Sequence, residues 1–304
     1  MKRILLVGFG TMGRLHFGCL ETLAREGAEA RWAGIAEPRL SEAGAKLLEG
    51  RDVPLFPSVE EALRNGPYDG AVVAAPTEAH FAATTALLEA GIPVLLEKTL
   101  CGDVGAARSL FRMARERGLF VLPGFTERSH RALALLAEWT KGAGPLRSAK
   151  LRRLTPFRYR YHSVDPVDDL LVHDLEHVAW LVPGDWTVVS TGRVRDGAGV
   201  DEAAARLRLG SAEADLLVGW SDAEESERTL EAVCERGRFF LNWFDGTWEA
   251  DGRKGSVPND PLGMQARLFL EAIDGKRADE LRDREASALR AMEALDACRA
   301  SFAV

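Results

Sequence analysis

The stretch that most constrains this chain is Lys2–Gly13, KRILLVGFGTMG. Ile4, Leu5, Leu6 and Val7 form an unbroken apolar run, the pattern of a short strand buried on both faces of a parallel sheet. The run leads into Gly8-Phe9-Gly10-Thr11-Met12-Gly13, a G-x-G-x-x-G, and the proline-free segment Arg14–Arg25 then reads as a helix. Each glycine has its own use in a dinucleotide site. Gly8 makes the tight turn, Gly10 lets the backbone approach a pyrophosphate, and Gly13 allows close helix–strand packing. The helix N-terminus offers unpaired N–H groups to the phosphates. A second apolar segment, Arg31–Ala36, ends in Glu37, where an acid takes the ribose hydroxyls. Phe9, Thr11, Met12 and Arg39 complete the nucleotide contacts expected from this stretch.

The pattern continues. Ser58, with Glu61 three residues on, reads as the cap of a helix over Val59–Arg64. Asp69–Ala75 is a further buried strand stopped by Pro76, and Thr77 is placed to cap a helix over Glu78–Ala90. Pro93–Leu96 is a fourth strand, followed by Glu97-Lys98, a helix over Val104–Arg117 and a strand at Leu119–Leu122. This alternation with short connections predicts a doubly wound parallel sheet, a Rossmann domain over residues 1–123. Beyond Gly124 the rhythm changes. A helix at His130–Thr140 precedes an extended stretch, Arg147–Tyr161, and a helix over Pro166–Val182. Five β-like runs between Trp186 and Trp243 follow, then two helices, Leu262–Asp274 and Arg284–Ser301. Residues 124–304 thus read as an α+β domain with a mostly antiparallel sheet.

Composition narrows the function classes. The 304 residues carry a net charge of −7, with basic residues scattered rather than striped, so no nucleic-acid partner is expected. No apolar run approaches the ~20 residues that span a bilayer, and the start reads as a strand rather than a secretion signal. Four cysteines stand far apart with no C-x-x-C spacing, the usage of a reduced, cytoplasmic protein.

In an open parallel sheet, ligands sit outside the carboxyl ends of the strands. Glu37, the Ala75-Pro76-Thr77 turn and Glu97-Lys98 all fall there. Lys98, directly after a buried run, would point into the cofactor crevice and hydrogen-bond a substrate oxygen. On the helix Pro166–Val182, the residues Leu171, Leu175, Val178 and Val182 make the apolar stripe. Asp169 and His173, four apart, share another face, and a carboxylate beside an imidazole suits general acid–base work. His173 and His177 also have a spacing that zinc accepts, but Asp174 stands where H-E-x-x-H requires glutamate and no third ligand is evident, so no metal is assigned. On the substrate side, Arg158, Arg160 and His162 share one strand face, with Tyr161 on the other. Such a basic face suits a phosphate or carboxylate. Arg128, Tyr161 and His177 are further substrate-side candidates.

In this order, Gly8–Gly13, Val73-Ala-Ala-Pro-Thr-Glu-Ala-His80, Leu96-Glu-Lys-Thr99 and Asp169-Leu-Leu-Val-His173-Asp174 resemble the Gfo/Idh/MocA oxidoreductase family. The resemblance implies that Lys98, Asp169 and His173 act on a sugar or polyol hydroxyl beside the nicotinamide. It also implies that Pro76, Thr77 and His80 line the cofactor site. The family's habit of pairing through its second sheet implies a homodimer or homotetramer, with Trp220, Phe240 and Trp243 suiting that surface. Two residues depart from the family pattern. Thr99 replaces a proline, which argues against a cis peptide after Lys98, and Glu176 replaces an aspartate. The expected activity is hydride transfer between a CH–OH carbon and NAD, preferred over NADP because Glu37 repels a 2′-phosphate. The alternatives are a non-catalytic dinucleotide-binding regulator of the same fold, and a reductase of an imine or another unusual acceptor.

Overall fold

The structure, a computed structural model, describes residues 1–156, 165–182, 184, 186–195, 201–222 and 224–302. Two compact units divide the chain: Met1–Thr126 with Leu262–Ala286, and Glu127–Pro261 with Ser287–Val304. A single cut near residue 124 therefore describes the chain only in part, because Leu262–Ala286 counts with the first unit.

The first unit opens with β1 (Lys2–Val7), α1 (Thr11–Arg25), β2 (Ala30–Ala36), α2 (Glu42–Leu48) and β3 (Leu55–Phe56). It continues through α3 (Val59–Arg64), β4 (Gly70–Val73), α4 (Thr77–Glu89), β5 (Val94–Glu97), α5 (Val104–Glu116) and β6 (Val121–Gly124). Among the described residues its strands form one parallel sheet in the order β3-β2-β1-β4-β5-β6. The order reverses between β1 and β4, the switch point at which such sheets bind ligands. Ile4–Val7 is buried throughout, as a strand covered by helices on both faces must be. Ser58 caps α3 by accepting the N–H of Glu61, as its position predicts. Thr77 does not cap α4. It is the first helical residue, and Pro76 occupies the cap position with no side-chain bond, its fixed φ leading the chain into the helix. A helix from the far end of the sequence, α8 (Pro261–Ile273), joins this core through Leu268, Phe269 and Leu270. Phe269 and Ile273 press so closely on β4 that a Cβ at Gly70 would strike both.

The second unit holds α6 (Arg131–Ala143), β7 (Leu146–Pro156), α7 (Val172–Leu181), β8 (Thr187–Arg195), β9 (Asp201–Leu209) and β10 (Ala212–Ser221). The strands β11 (Glu227–Cys234), β12 (Gly237–Asn242), β13 (Thr247–Ala250) and β14 (Arg253–Ser256) follow, and the chain closes on α9 (Ala278–Phe302). Among the described residues the strands pair in the order β14-β13-β12-β11-β7-β10-β9-β8, antiparallel except for β7 beside β10. The hairpin β13–β14 has no counterpart in the sequence reading, since its strands are short and polar. Its two-residue turn, Asp251-Gly252, has positive φ at both positions, the geometry that Asp-Gly favours. Leu171, Leu175 and Val178 are buried as their spacing predicts. The helix they belong to is not uniform: a π-helical turn over Val167–Leu171 precedes α7. Trp220 and Trp243 are buried inside this unit, so they do not supply an exposed association surface. Among the described residues no helix is long and apolar enough to cross a membrane.

Candidate functional site

The turn after β1 is shaped by what a side chain would strike. At Gly8, φ is +88°, and a Cβ there would run into the backbone of Ala74 and Ala75 at the end of β4. At Gly13 a Cβ would overlap the carbonyl oxygen of Gly8, so the first turn of α1 packs directly against the loop. Gly10 is different. Its φ of −70° suits any residue, and a Cβ there would meet no protein atom within 4 Å. The space above Gly10 is open, and α1 has neither a side-chain cap nor an acidic residue in its first turn. An uncapped helix N-terminus facing open space fits a pyrophosphate.

Glu37, at the end of β2, is tied to this loop. One carboxylate oxygen accepts the main-chain N–H of Phe9 at 2.7 Å and the other accepts that of Arg39 at 3.0 Å. Two fixed donors orient the carboxylate and leave it acceptor capacity for a ribose diol. Around these groups lies a cleft of about 980 Å³, lined by Gly8–Met12, Glu37, Arg39, Ala75, Pro76, Glu97 and Lys98. Eleven of the expected nucleotide residues thus share one cleft. The Phe9 ring is itself buried, in an edge-on contact with Phe17, so this residue faces the cleft through its backbone. Arg14 and Ser41 also line the cleft. The sequence reading missed both, although Arg14 directly follows the last glycine and Ser41 sits at the cap of α2.

Three expected cofactor residues do not line the cleft. Gly13 supports it from behind and Thr77 starts α4. His80 is 1% exposed, with Nδ1 at 3.1 Å from the carbonyl oxygen of Thr99 and Nε2 at 2.8 Å from that of Ala75. Its ring is spent on main-chain carbonyls and is a structural tie rather than a cofactor ligand. The Lys98–Thr99 peptide is cis, contrary to the expectation drawn from threonine in place of proline. That expectation weighed only the local preference of the peptide, whereas this one is embedded, with Thr99 buried and its carbonyl held by His80.

In the second unit, Asp169 lies in the π-helical turn and His173 in the first turn of α7, both half-buried. His173 lies within electrostatic reach of Glu127, and Asp169 of Arg228. Behind them is a buried charge cluster. Arg153 on β7 donates to both oxygens of Glu127, at 2.8 and 2.7 Å, and to Asp174 at 2.6 Å. Arg228 pairs with Glu127 as well. Burial alone would raise the Glu127 carboxyl, but Arg153 and then Arg228 and His173 hold it well below its ordinary value. Asp174 is pushed up, because burial there outweighs Arg153.

His177 is 1% exposed, stacked on Trp243 with ring centroids 4.7 Å apart, and burial drives its pKa down to about 3. It is a neutral packing residue rather than a substrate ligand. Arg128 lies over the Trp180 ring at 4.0 Å and faces Glu176 at 3.7 Å. Glu176, also buried, accepts the Ser287 hydroxyl at 2.7 Å. Arg158, Arg160 and Tyr161 lie outside the described residues.

The comparisons with known proteins agree with this geometry. The Gfo/Idh/MocA family model, described as an oxidoreductase family with an NAD-binding Rossmann fold, matches residues 2–125. The UDP-N-acetylglucosamine 3-dehydrogenase of Acidithiobacillus ferrooxidans is 29% identical over 280 residues, which cover 91% of this chain and 84% of that protein. A myo-inositol dehydrogenase of Streptomyces leeuwenhoekii is 29% identical over 282 residues, covering 86% of this chain and 78% of its own. The solved structure of the Acidithiobacillus enzyme superposes with a TM-score of 0.86 at 25% identity, covering 99% of this chain and 97% of that one. A 3-ketoreductase of Actinomadura kijaniata, crystallised with TDP-benzene and NADP, shares the fold with a TM-score of 0.82 at 21% identity, covering 99% and 97% of the two chains. Residues 2–125 thus match the Gfo/Idh/MocA oxidoreductase family model, and over most of its length the chain is similar to the two dehydrogenases named above.

Proposed function

We propose that this chain is an NAD(P)-dependent oxidoreductase that moves a hydride between the nicotinamide and a CH–OH or ketone carbon of a sugar or polyol. The observation that carries the reading is the cleft itself, with an open pyrophosphate cradle at Gly10, a ribose acid oriented at Glu37 and Lys98 on the wall. The nicotinamide, when bound, takes up or returns the hydride. Gly8–Gly13 hold the phosphates, and Glu37 accepts from the ribose hydroxyls, which favours NAD over NADP.

Lys98 presents a cationic donor to the substrate oxygen and stabilises the negative charge it gains as its proton leaves. His173, beside Asp169 in sequence register, takes that proton in oxidation and gives it back in reduction. General acid–base help of this kind is worth ~10²–10⁴ in rate. Relatives acting on UDP-N-acetylglucosamine and on myo-inositol support a sugar or polyol substrate. Family habit supports a homodimer or homotetramer, and four cysteines far apart with no C-x-x-C spacing support a reducing, cytoplasmic setting.

The test is a spectrophotometric screen of UDP-N-acetylglucosamine, other nucleotide sugars, myo-inositol and free hexoses with NAD and with NADP. Reduced nicotinamide formed with one of these classes is the expected result. Tight NADH binding with no turnover of any of them, in either direction, contradicts the enzyme reading.

A further inference from the structure

The segment Glu97-Lys98-Thr99-Leu100 is gripped from two sides by buried histidines that take no part in the proposed reaction. On one side His16, in α1 and 3% exposed, meets Glu97 Oε1 through Nε2 at 2.7 Å. The other oxygen of the same carboxylate accepts the main-chain N–H of Lys98 at 3.2 Å. On the other side His80, in α4, directs Nδ1 at the carbonyl oxygens of Thr99 and Leu100, 3.1 and 3.2 Å away. Its Nε2 faces the carbonyl oxygen of Ala75 at 2.8 Å. Carbonyl and carboxylate oxygens only accept, so His16 meets Glu97 as a donor through Nε2, and a neutral His80 donates from one ring nitrogen, to the Thr99 and Leu100 carbonyls through Nδ1 or to Ala75 through Nε2. Away from water such bonds are stronger, and their loss costs more.

The two helices involved start from the turns that line the nucleotide cleft. The helix carrying His16 begins at Thr11, inside the glycine loop, and the one carrying His80 begins just after Ala75-Pro76. The main chain before Lys98 is therefore tied to the phosphate-binding side, and the main chain after it to the β4 turn. β6 closes the third side, where Gly124 lies so near Glu97 that a Cβ would overlap its Cα. Neither histidine lines the cleft. A lysine ends in a flexible four-carbon stem, so the direction in which that stem leaves the backbone is the part of its placement a fold can fix.

We propose that His16 and His80 are positioning residues which fix Lys98 against the two nucleotide-binding turns, so that a bound nicotinamide nucleotide and the lysine share one rigid frame. The assignment rests on the role given to Lys98 above. A side chain acting through such a frame governs the rate more than the affinity, since a misplacement of about 1 Å costs about 100-fold in rate.

The test reads Lys98 directly and needs no substrate. The full-length protein is treated with an amine-selective acylating reagent with and without NADH, and modification of Lys98 is followed by peptide mass spectrometry. Lys141, exposed on the surface, is the internal control. In the wild-type chain NADH protects Lys98 and not Lys141. His80→Ala and His16→Ala lose most of that protection, while NADH affinity stays within about threefold. His80→Asn, which keeps an amide donor near the place of Nδ1, restores it. With a turned-over sugar, the alanine variants lower kcat about 10- to 100-fold at unchanged KM for NAD.

Full protection of Lys98 in both alanine variants overturns the proposal. Should His80→Ala fail to fold, the same footprint on His16→Asn decides, because that side chain is too short to reach Glu97. Wild-type turnover in Lys98→Ala is a separate result, which removes the catalytic role on which the proposal rests.

Discussion

Phe9 donates its main-chain N–H to the carboxylate of Glu37 at 2.7 Å, so the glycine loop and the acid at the end of β2 are one construction. A carboxylate held this way recognises a ribose diol and repels a phosphate in its place. Glu37→Ala is therefore expected to weaken NAD binding about 10- to 100-fold, the worth of hydrogen bonds to a charged group. NADP affinity should hold or improve. Titrating both nucleotides into wild type and variant checks the sign, and an equal loss for both removes Glu37 as the discriminating group.

The glycines separate folding from binding. Gly10→Ala adds a methyl group where no protein atom lies within 4 Å, on backbone that alanine accepts. Its melting temperature should match wild type, while NAD affinity falls because the methyl group occupies phosphate space. Gly13→Ala must push against the carbonyl of Gly8 and should destabilise the fold by about 1–3 kcal/mol besides. Thermal melts with and without NAD distinguish the two.

The cleft was readable from sequence because its parts are local: a buried run, three spaced glycines and an acid closing the next strand. What escaped depends on distant partners. His80 looked like a cofactor ligand until its ring was seen bonded to Ala75, Thr99 and Leu100. His177 carried a polar signature, yet it packs on Trp243, in the turn after β12 and more than sixty residues away. The peptide after Lys98 was judged by local preference alone. Leu262–Ala286 was assigned by chain order, whereas Phe269 and Ile273 find their cavity against Gly70. The hairpin at Asp251-Gly252 carries a local signal, Asp-Gly, but the strands around it are short and polar.

Acid should unfold the second unit in steps of known sign. His177 has a pKa near 3 in the fold against 6.5 in the open chain, so between those values the unfolded state binds the extra proton. Stability then falls as pH drops below 6.5, by up to ~1.4 kcal/mol per pH unit for this one group. His130, lowered by burial, adds in the same direction. Glu127, held down by Arg153, adds its own loss only below about 4.5, while the raised Asp174 opposes it. Urea unfolding between pH 7 and 4.5 should show a slope that flattens in His177→Gln. An unchanged slope contradicts the assignment.

Arg153 neutralises two buried carboxylates at once. Arg153→Met leaves Asp174 without its cation and Glu127 with Arg228 alone, and should cost about 3–5 kcal/mol in urea unfolding at neutral pH. A loss below 1 kcal/mol would mean that Arg228 alone holds the cluster together.

The central claim is that Lys98 acts on a substrate oxygen at the edge of a nicotinamide site. It is tested most directly by measuring kcat and NADH affinity together in Lys98→Ala, with the sugar or polyol that the wild type turns over. A fall in kcat of ~10²–10⁴, with NADH affinity within about threefold of wild type, is the expected result. Wild-type kcat in that variant, measured with the same substrate, contradicts it.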